Sequence, residues 1–64
     1  MYIVKITIND YSEINKIKKF ISKFSINIKR KIIKFTYKNL LELFNNLYKY
    51  NINYIRINVQ SRGN

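Results

Sequence analysis

Three consecutive cations, Lys29-Arg30-Lys31, with Lys34 close behind and with Lys5 and Arg56 in separate alternating stretches, are the residues whose type and spacing could do chemistry. Ammonium and guanidinium groups among hydrogen-bonding side chains suit phosphate oxygens: Arg offers a planar fork of donors and Lys a mobile point charge. Tyr54, two residues before Arg56, has a π-face on which a nucleobase can stack. The chain carries 13 Lys and Arg against 3 acids, a net charge of +10. That excess exceeds what solvation of a small surface needs, so a polyanion or an acidic protein surface is the expected partner. Ile, Lys, Asn and Tyr are also the products of A/T-rich codons, which gives the charge a second reading as codon bias.

Acid-base and metal chemistry have little to work with. Cys and His are both absent, which excludes disulfides, Cys/His metal sites and any nucleophile activated by histidine. Asp10, Glu13 and Glu42 are the three acids, and each sits where a helix begins. Asp10 precedes Glu13, and Asn39 precedes Glu42, at the spacing of a capping box. Hydrolysis by paired carboxylates or two metals needs convergent acids, and the lone glycine, Gly63, cannot build a phosphate loop. The expectation is a protein that is not an enzyme, with no cofactor, metal or small-molecule substrate.

The elements that must position the cations follow from periodicity. Tyr2, Val4, Ile6 and Ile8 alternate with Ile3, Lys5 and Thr7, the pattern of a strand with one buried face. Beyond Asp10, the residues Ile14, Ile17, Ile21 and Phe24 fall on one helical stripe, with Lys16, Lys19 and Lys23 on another side. Ile26 and Ile28 are out of phase with Ile33, Phe35 and Tyr37, so one continuous strand cannot bury both sets. A hairpin turning at Arg30-Lys31 removes the conflict by pairing Ile28 with Ile33 and Ile26 with Phe35. Arg-Lys is nonetheless a poor two-residue turn, which normally wants Gly or Asn, and a bulged long strand is the alternative. Leu40, Leu43, Phe44 and Leu47 mark a second helix flanked by Leu41 and Tyr48 and stopped at Asn51. A last strand places Ile55, Ile57 and Val59 on one face, with Tyr54, Arg56, Asn58 and Gln60 on the other.

Laying the second half over the first aligns Val4 with Ile33, Ile6 with Phe35, Glu13 with Glu42, Ile14 with Leu43 and Ile26 with Ile55. Two βαβ halves emerge. The predicted fold is α+β, a ferredoxin-like βαββαβ domain in which a four-stranded antiparallel sheet carries both helices on one face. It spans residues 1–60, with 61–64 a frayed polar tail. No apolar run is long enough for a signal peptide or a membrane span, so a cytoplasmic protein without membrane contact is expected. The uncovered sheet face then displays Ile3, Lys5, Asn27, Lys29, Ile32, Lys34, Tyr54 and Arg56.

Among proteins of this expected fold, RNA-recognition motifs carry stacking aromatics on their central strands. Ile3, Lys5, Ile32, Lys34 and Thr36 occupy the comparable positions here, and no membership of that family follows. The expected function is a small basic module that grips the phosphate backbone of DNA or RNA through Lys5, Lys29, Arg30, Lys31, Lys34 and Arg56, with Tyr54 to stack and little sequence preference. The alternative is a protein-interaction or inhibitor module, of the kind phages and mobile elements make, docking on an acidic or nucleic-acid-processing host complex. A homodimer is compatible with either, since such a domain leaves sheet edges free.

Overall fold

The computed structural model describes residues 1–62. In chain order the elements are β1 (Tyr2–Ile8), α1 (Glu13–Ile17), β2 (Ser25–Asn27), β3 (Ile32–Tyr37), α2 (Leu40–Lys49) and β4 (Tyr54–Ser61). The strands form one four-stranded sheet in the order β2-β3-β1-β4, every neighbouring pair antiparallel. The α+β class and the antiparallel sheet are as the sequence predicts.

Alternation in β1 buries Val4, Ile6 and Ile8 completely. Across β3 they meet Ile33 and Phe35, with Ile6 opposite Ile33 and Val4 opposite Phe35. Ile17 of α1 and Leu43 and Leu47 of α2 join these residues in a single buried cluster. With no cysteine to form a disulfide, this apolar cluster is the main source of stability. Aromatic rings finish it: Phe20 stacks on Tyr50 at 5.6 Å and meets Tyr37 edge-on at 6.4 Å.

α1 is shorter than its stripe predicts. After Ile17 the chain tightens into turns closed by Lys19 N–H to the Lys16 carbonyl and Phe20 N–H to the Ile17 carbonyl. Beyond Ile17 the lysines are interrupted by Phe20, Ile21, Ser22 and Phe24, which lose side-chain freedom in a helix or compete for its backbone bonds, and the tightened turns deliver Phe20 to the Tyr50 ring. Ile21 is still buried, while Phe24 reaches the cluster as a half-buried residue outside the helix.

The Asp10-Glu13 capping box is not formed. Asp10 Oδ1 instead accepts the Ser12 amide at 2.9 Å, and that bond lowers the Asp10 pKa below its ordinary value. Glu13 is itself buried: its Oε1 accepts the Asn53 amide at 3.0 Å and pairs with Lys16 Nζ at 3.1 Å, tying α1 to the approach of β4. Glu13→Ala is therefore expected to cost about 1–3 kcal/mol, since it strands the Asn53 donor, whereas Glu13→Gln keeps an acceptor and loses less. Urea midpoints of the two variants check the order.

The second box is half made. Asn39 Oδ1 accepts the Glu42 amide at 3.0 Å, an N-cap in the expected place. The Glu42 carboxylate does not return to the Asn39 amide but accepts the Tyr37 hydroxyl at 3.0 Å, while Asn46 Nδ2 donates to the same hydroxyl oxygen. Burial, then the bond to Glu42, pushes the Tyr37 phenol above its ordinary 10.0. Folding thus favours the neutral phenol, so its contribution is full below pH 10.0 and fades as pH rises through the higher folded value. Stability should fall on the alkaline side, and Tyr37→Phe should flatten that slope in melts taken between about pH 9 and 11. At the far end of α2, Asn51 takes φ 52, and the Ile52 amide donates to the Leu47 carbonyl at 3.0 Å, a Schellman ending that buries Ile52.

Two registers differ from the sequence reading. Ile26 lies opposite Ile33 and Asn27 opposite Ile32, so the β2-β3 connection is a four-residue loop, Ile28 to Lys31, and Ile28 is 67% exposed. The wider loop removes the need for two residues at positive φ: only Lys31 takes it, at 56, and Asn27 Oδ1 accepts the Arg30 amide at 3.1 Å. In β4 the register shifts between Thr7 and Ile8, which face Arg56 and Tyr54 respectively. Ile55 is left over at this bulge, 68% exposed, and the buried place it was expected to fill belongs to Ile52. β4 also runs to Ser61, and the Arg62 amide donates to the Met1 carbonyl at 3.1 Å, so residues 61 and 62 are tied down where a frayed tail was expected. Gly63 and Asn64 lie outside the described residues.

Candidate anion-binding site

On the sheet face opposite the buried cluster, strand registers put Ile32, Thr7 and Arg56 in one row, Lys34, Lys5 and Asn58 in the next, and Thr36, Ile3 and Gln60 in the third. Lys5 and Lys34 are thus direct cross-strand partners on the central pair. Side chains so placed start about 4.5–5.5 Å apart, and like charges there are destabilising. Arg56 stands on the diagonal from Lys5, about 7–8 Å away. None of the residues in these rows is acidic.

The hairpin loop adds a further cation. Lys5, Arg30 and Lys34, with Ser25, Asn27 and Ile32, line an open depression of ≈ 490 Å³. A second depression of ≈ 560 Å³ shares Ser25 and Lys34 with it and continues past Ile3 and Thr36 to Lys23 and Arg62. The two make one shallow basic trough across the sheet, with neutral hydrogen-bonding groups between the charges.

The remaining expected residues divide. Lys29 is exposed in the loop beside Arg30. Lys31 is turned away: its Nζ lies 5.3 Å from the centroid of the Tyr11 ring, and its charge helps to lower the Asp10 pKa. The Tyr11 hydroxyl donates to the Ile28 carbonyl, and the Ile8 amide to the Lys31 carbonyl at 2.9 Å, so the loop is pinned to the end of β1. Tyr54 is displaced outright. Its partner Ile8 is buried, so the bulge carries Tyr54 to the covered face, where it lines a crevice with Phe44, Tyr48 and Ile52. Stacking by Tyr54 on the open face is therefore corrected, and the face keeps its cations without an aromatic.

Lys23 and Arg62 belong to the trough and were not among the expected site residues. No spacing in the sequence marks them, because one follows the truncated α1 and the other lies in the presumed tail. Comparison with family models, with curated proteins and with solved structures finds no match.

The acids lie elsewhere. Glu13–Lys16 is the one ion pair among the described residues, Glu42 is held by Tyr37, and Asp10 by Ser12. Lys16 also donates to the Asn51 carbonyl at 3.0 Å, and Lys19 and Lys49 lie over the Tyr50 ring at 5.7 and 5.4 Å. Several lysines thus have local partners, whereas Lys5 and Lys34 face one another. Among the described residues no group of three or more acids, Cys or His is placed to hold a metal, and no helix is long and apolar enough to cross a membrane.

Proposed function

We propose that this protein is a non-enzymatic nucleic-acid-binding module that grips the phosphate backbone of DNA or RNA, with little sequence preference. The single observation that carries the reading is the Lys5-Lys34 pair. Two cations opposed on the central strands cost stability in the free protein, and a phosphate seated between them turns that repulsion into attraction to a shared anion. Arg30 supplies a fork of donors from the loop, Lys23 and Arg62 extend the contact to neighbouring phosphates along the trough, and Arg56 does so from the adjoining row of the sheet face. Ile3, Ile32 and Thr36 occupy the central-strand positions where base-stacking rings would sit, so affinity rests on charge and not on base identity.

The order β2-β3-β1-β4 with its βαββαβ succession supports a finer reading of the scaffold as ferredoxin-like, both helices covering the face that bears Val4, Ile6 and Ile8. That arrangement leaves the opposite face free for the polyanion. Titrating ¹⁵N-labelled protein with a short single-stranded oligonucleotide tests the proposal. Shifts should concentrate at Lys5, Arg30, Lys34 and Arg56. An unperturbed open face, or shifts confined to α2, would refute it.

A further inference from the structure

We infer that the protein forms a symmetric homodimer through the outer edge of β4 and the adjoining flank of α2, an assembly independent of the nucleic-acid reading. Leu41, Phe44 and Tyr48 are 72%, 43% and 89% exposed. Their three- and four-residue spacing puts them on one side of α2. Glu42 and Asn46, on the other flank, meet Tyr37 of β3, so the apolar side looks away from β3 and toward β4. There Phe44 and Tyr48 share a crevice with Tyr54, and Ile55 projects from the bulge beside it.

The strand next to this patch is itself unpaired on one side. β4 is an edge of the sheet, eight residues long with Arg56 as its one charge, whereas the other edge, β2, has three residues beside a cationic loop. Long edges are normally guarded by lysines, proline or short length, and β4 has only its terminal bulge. An antiparallel β4-β4 pairing is self-complementary under a two-fold axis, which is the usual geometry of a soluble dimer. The same axis brings the two α2 flanks together above the joined edges.

Charge selects a second copy as the occupant. In a chain of +10, the patch of Leu41, Phe44, Asn45, Tyr48 and Ile55 is uncharged. Copies can meet there without apposing their cationic faces, and an acidic partner would be drawn instead to the trough. The patch offers on the order of 500 Å² of apolar surface, at the upper end for a monomer. Backbone pairing along β4 brings it close to the ~800 Å² per partner of a stable interface. Edge-to-edge joining would also place the two basic troughs on one continuous sheet face.

Sedimentation equilibrium of the protein, from low micromolar upward in about 0.1 and 0.5 M salt, tests the inference. A mass twice the 7.8 kDa of the chain is expected, with tighter association at the higher salt because screening relieves repulsion between two cationic copies. Leu41→Lys/Tyr48→Lys should weaken association about thirtyfold or more. Both positions are exposed, so its circular dichroism should match that of the parent, and Ile55→Lys alone should weaken the dimer in the same direction. A monomer at every concentration and salt overturns the inference, as does a dimer that both charged variants leave intact.

Discussion

Lys34→Glu should make the protein more stable and a poorer ligand for nucleic acid at the same time. The substitution replaces a like-charge pair with an opposite-charge pair at the register where Lys5 faces residue 34. Cross-strand pairs of this kind are worth about 0.2–1 kcal/mol, which in a domain of this size raises the melting temperature by a few degrees. The trough meanwhile loses a cation and gains an anion beside Lys5 and Arg30. Affinity for a single-stranded oligonucleotide should drop by at least about tenfold, and the dependence of log K on log salt should become shallower by about one. Thermal melts and fluorescence anisotropy on the same sample read both effects. A variant that melts lower, or binds as tightly as its parent, would show that the pair is ordinary surface.

The second large effect separates two residues that periodicity treats alike. Leu43 and Ile28 both read as core in the sequence, yet Leu43 is fully buried and Ile28 is 67% exposed. Leu43→Ala should cost about 2–5 kcal/mol, comparable with the whole stability that a core this small supplies, so much of the variant should be unfolded at room temperature. Ile28→Ala should stay within about 0.5 kcal/mol of the parent. Chemical denaturation of the two decides whether β2 pairs with β3 as the structure has it. A large cost at Ile28 would restore the tight two-residue hairpin.

Those two residues show where the sequence was legible. β1 and β3 are central strands with a buried face, so their alternation is enforced by packing on both sides, and Val4, Ile6, Ile33 and Phe35 read correctly. β2 and β4 are edges, with a neighbour on one side only. A bulge at Thr7/Ile8 or a wider loop after Asn27 costs little there, and either one moves apolar residues such as Ile28 and Ile55 into solvent. The internal resemblance of the two halves follows the same line, holding at Val4/Ile33 and Ile6/Phe35 and failing at Ile26/Ile55, where the first is half-buried and the second exposed.

The candidate site followed the strands that carry it. Lys5 and Lys34 were readable because they sit on the central pair, although their direct opposition needed the register. Tyr54 was misplaced by a one-residue bulge that alternation cannot reveal, and Lys31 by a contact with Tyr11 far from it in sequence. Glu13 was legible as a residue near a helix start, but its bond to Asn53 spans most of the chain and leaves no local spacing.

The most direct test of the phosphate-gripping face is the salt dependence of binding to labelled single-stranded DNA and RNA, for the protein and for Lys5→Gln/Lys34→Gln. The expected result is affinity that falls linearly in log-log form for the parent, and a slope shallower by about 0.7 for the variant, from the roughly 0.7 counterions released per phosphate contact on a single strand and the one phosphate the two lysines share. Circular dichroism should show both folded. Absence of binding at low salt, or a slope that the double substitution leaves unchanged, would contradict the assignment of this face.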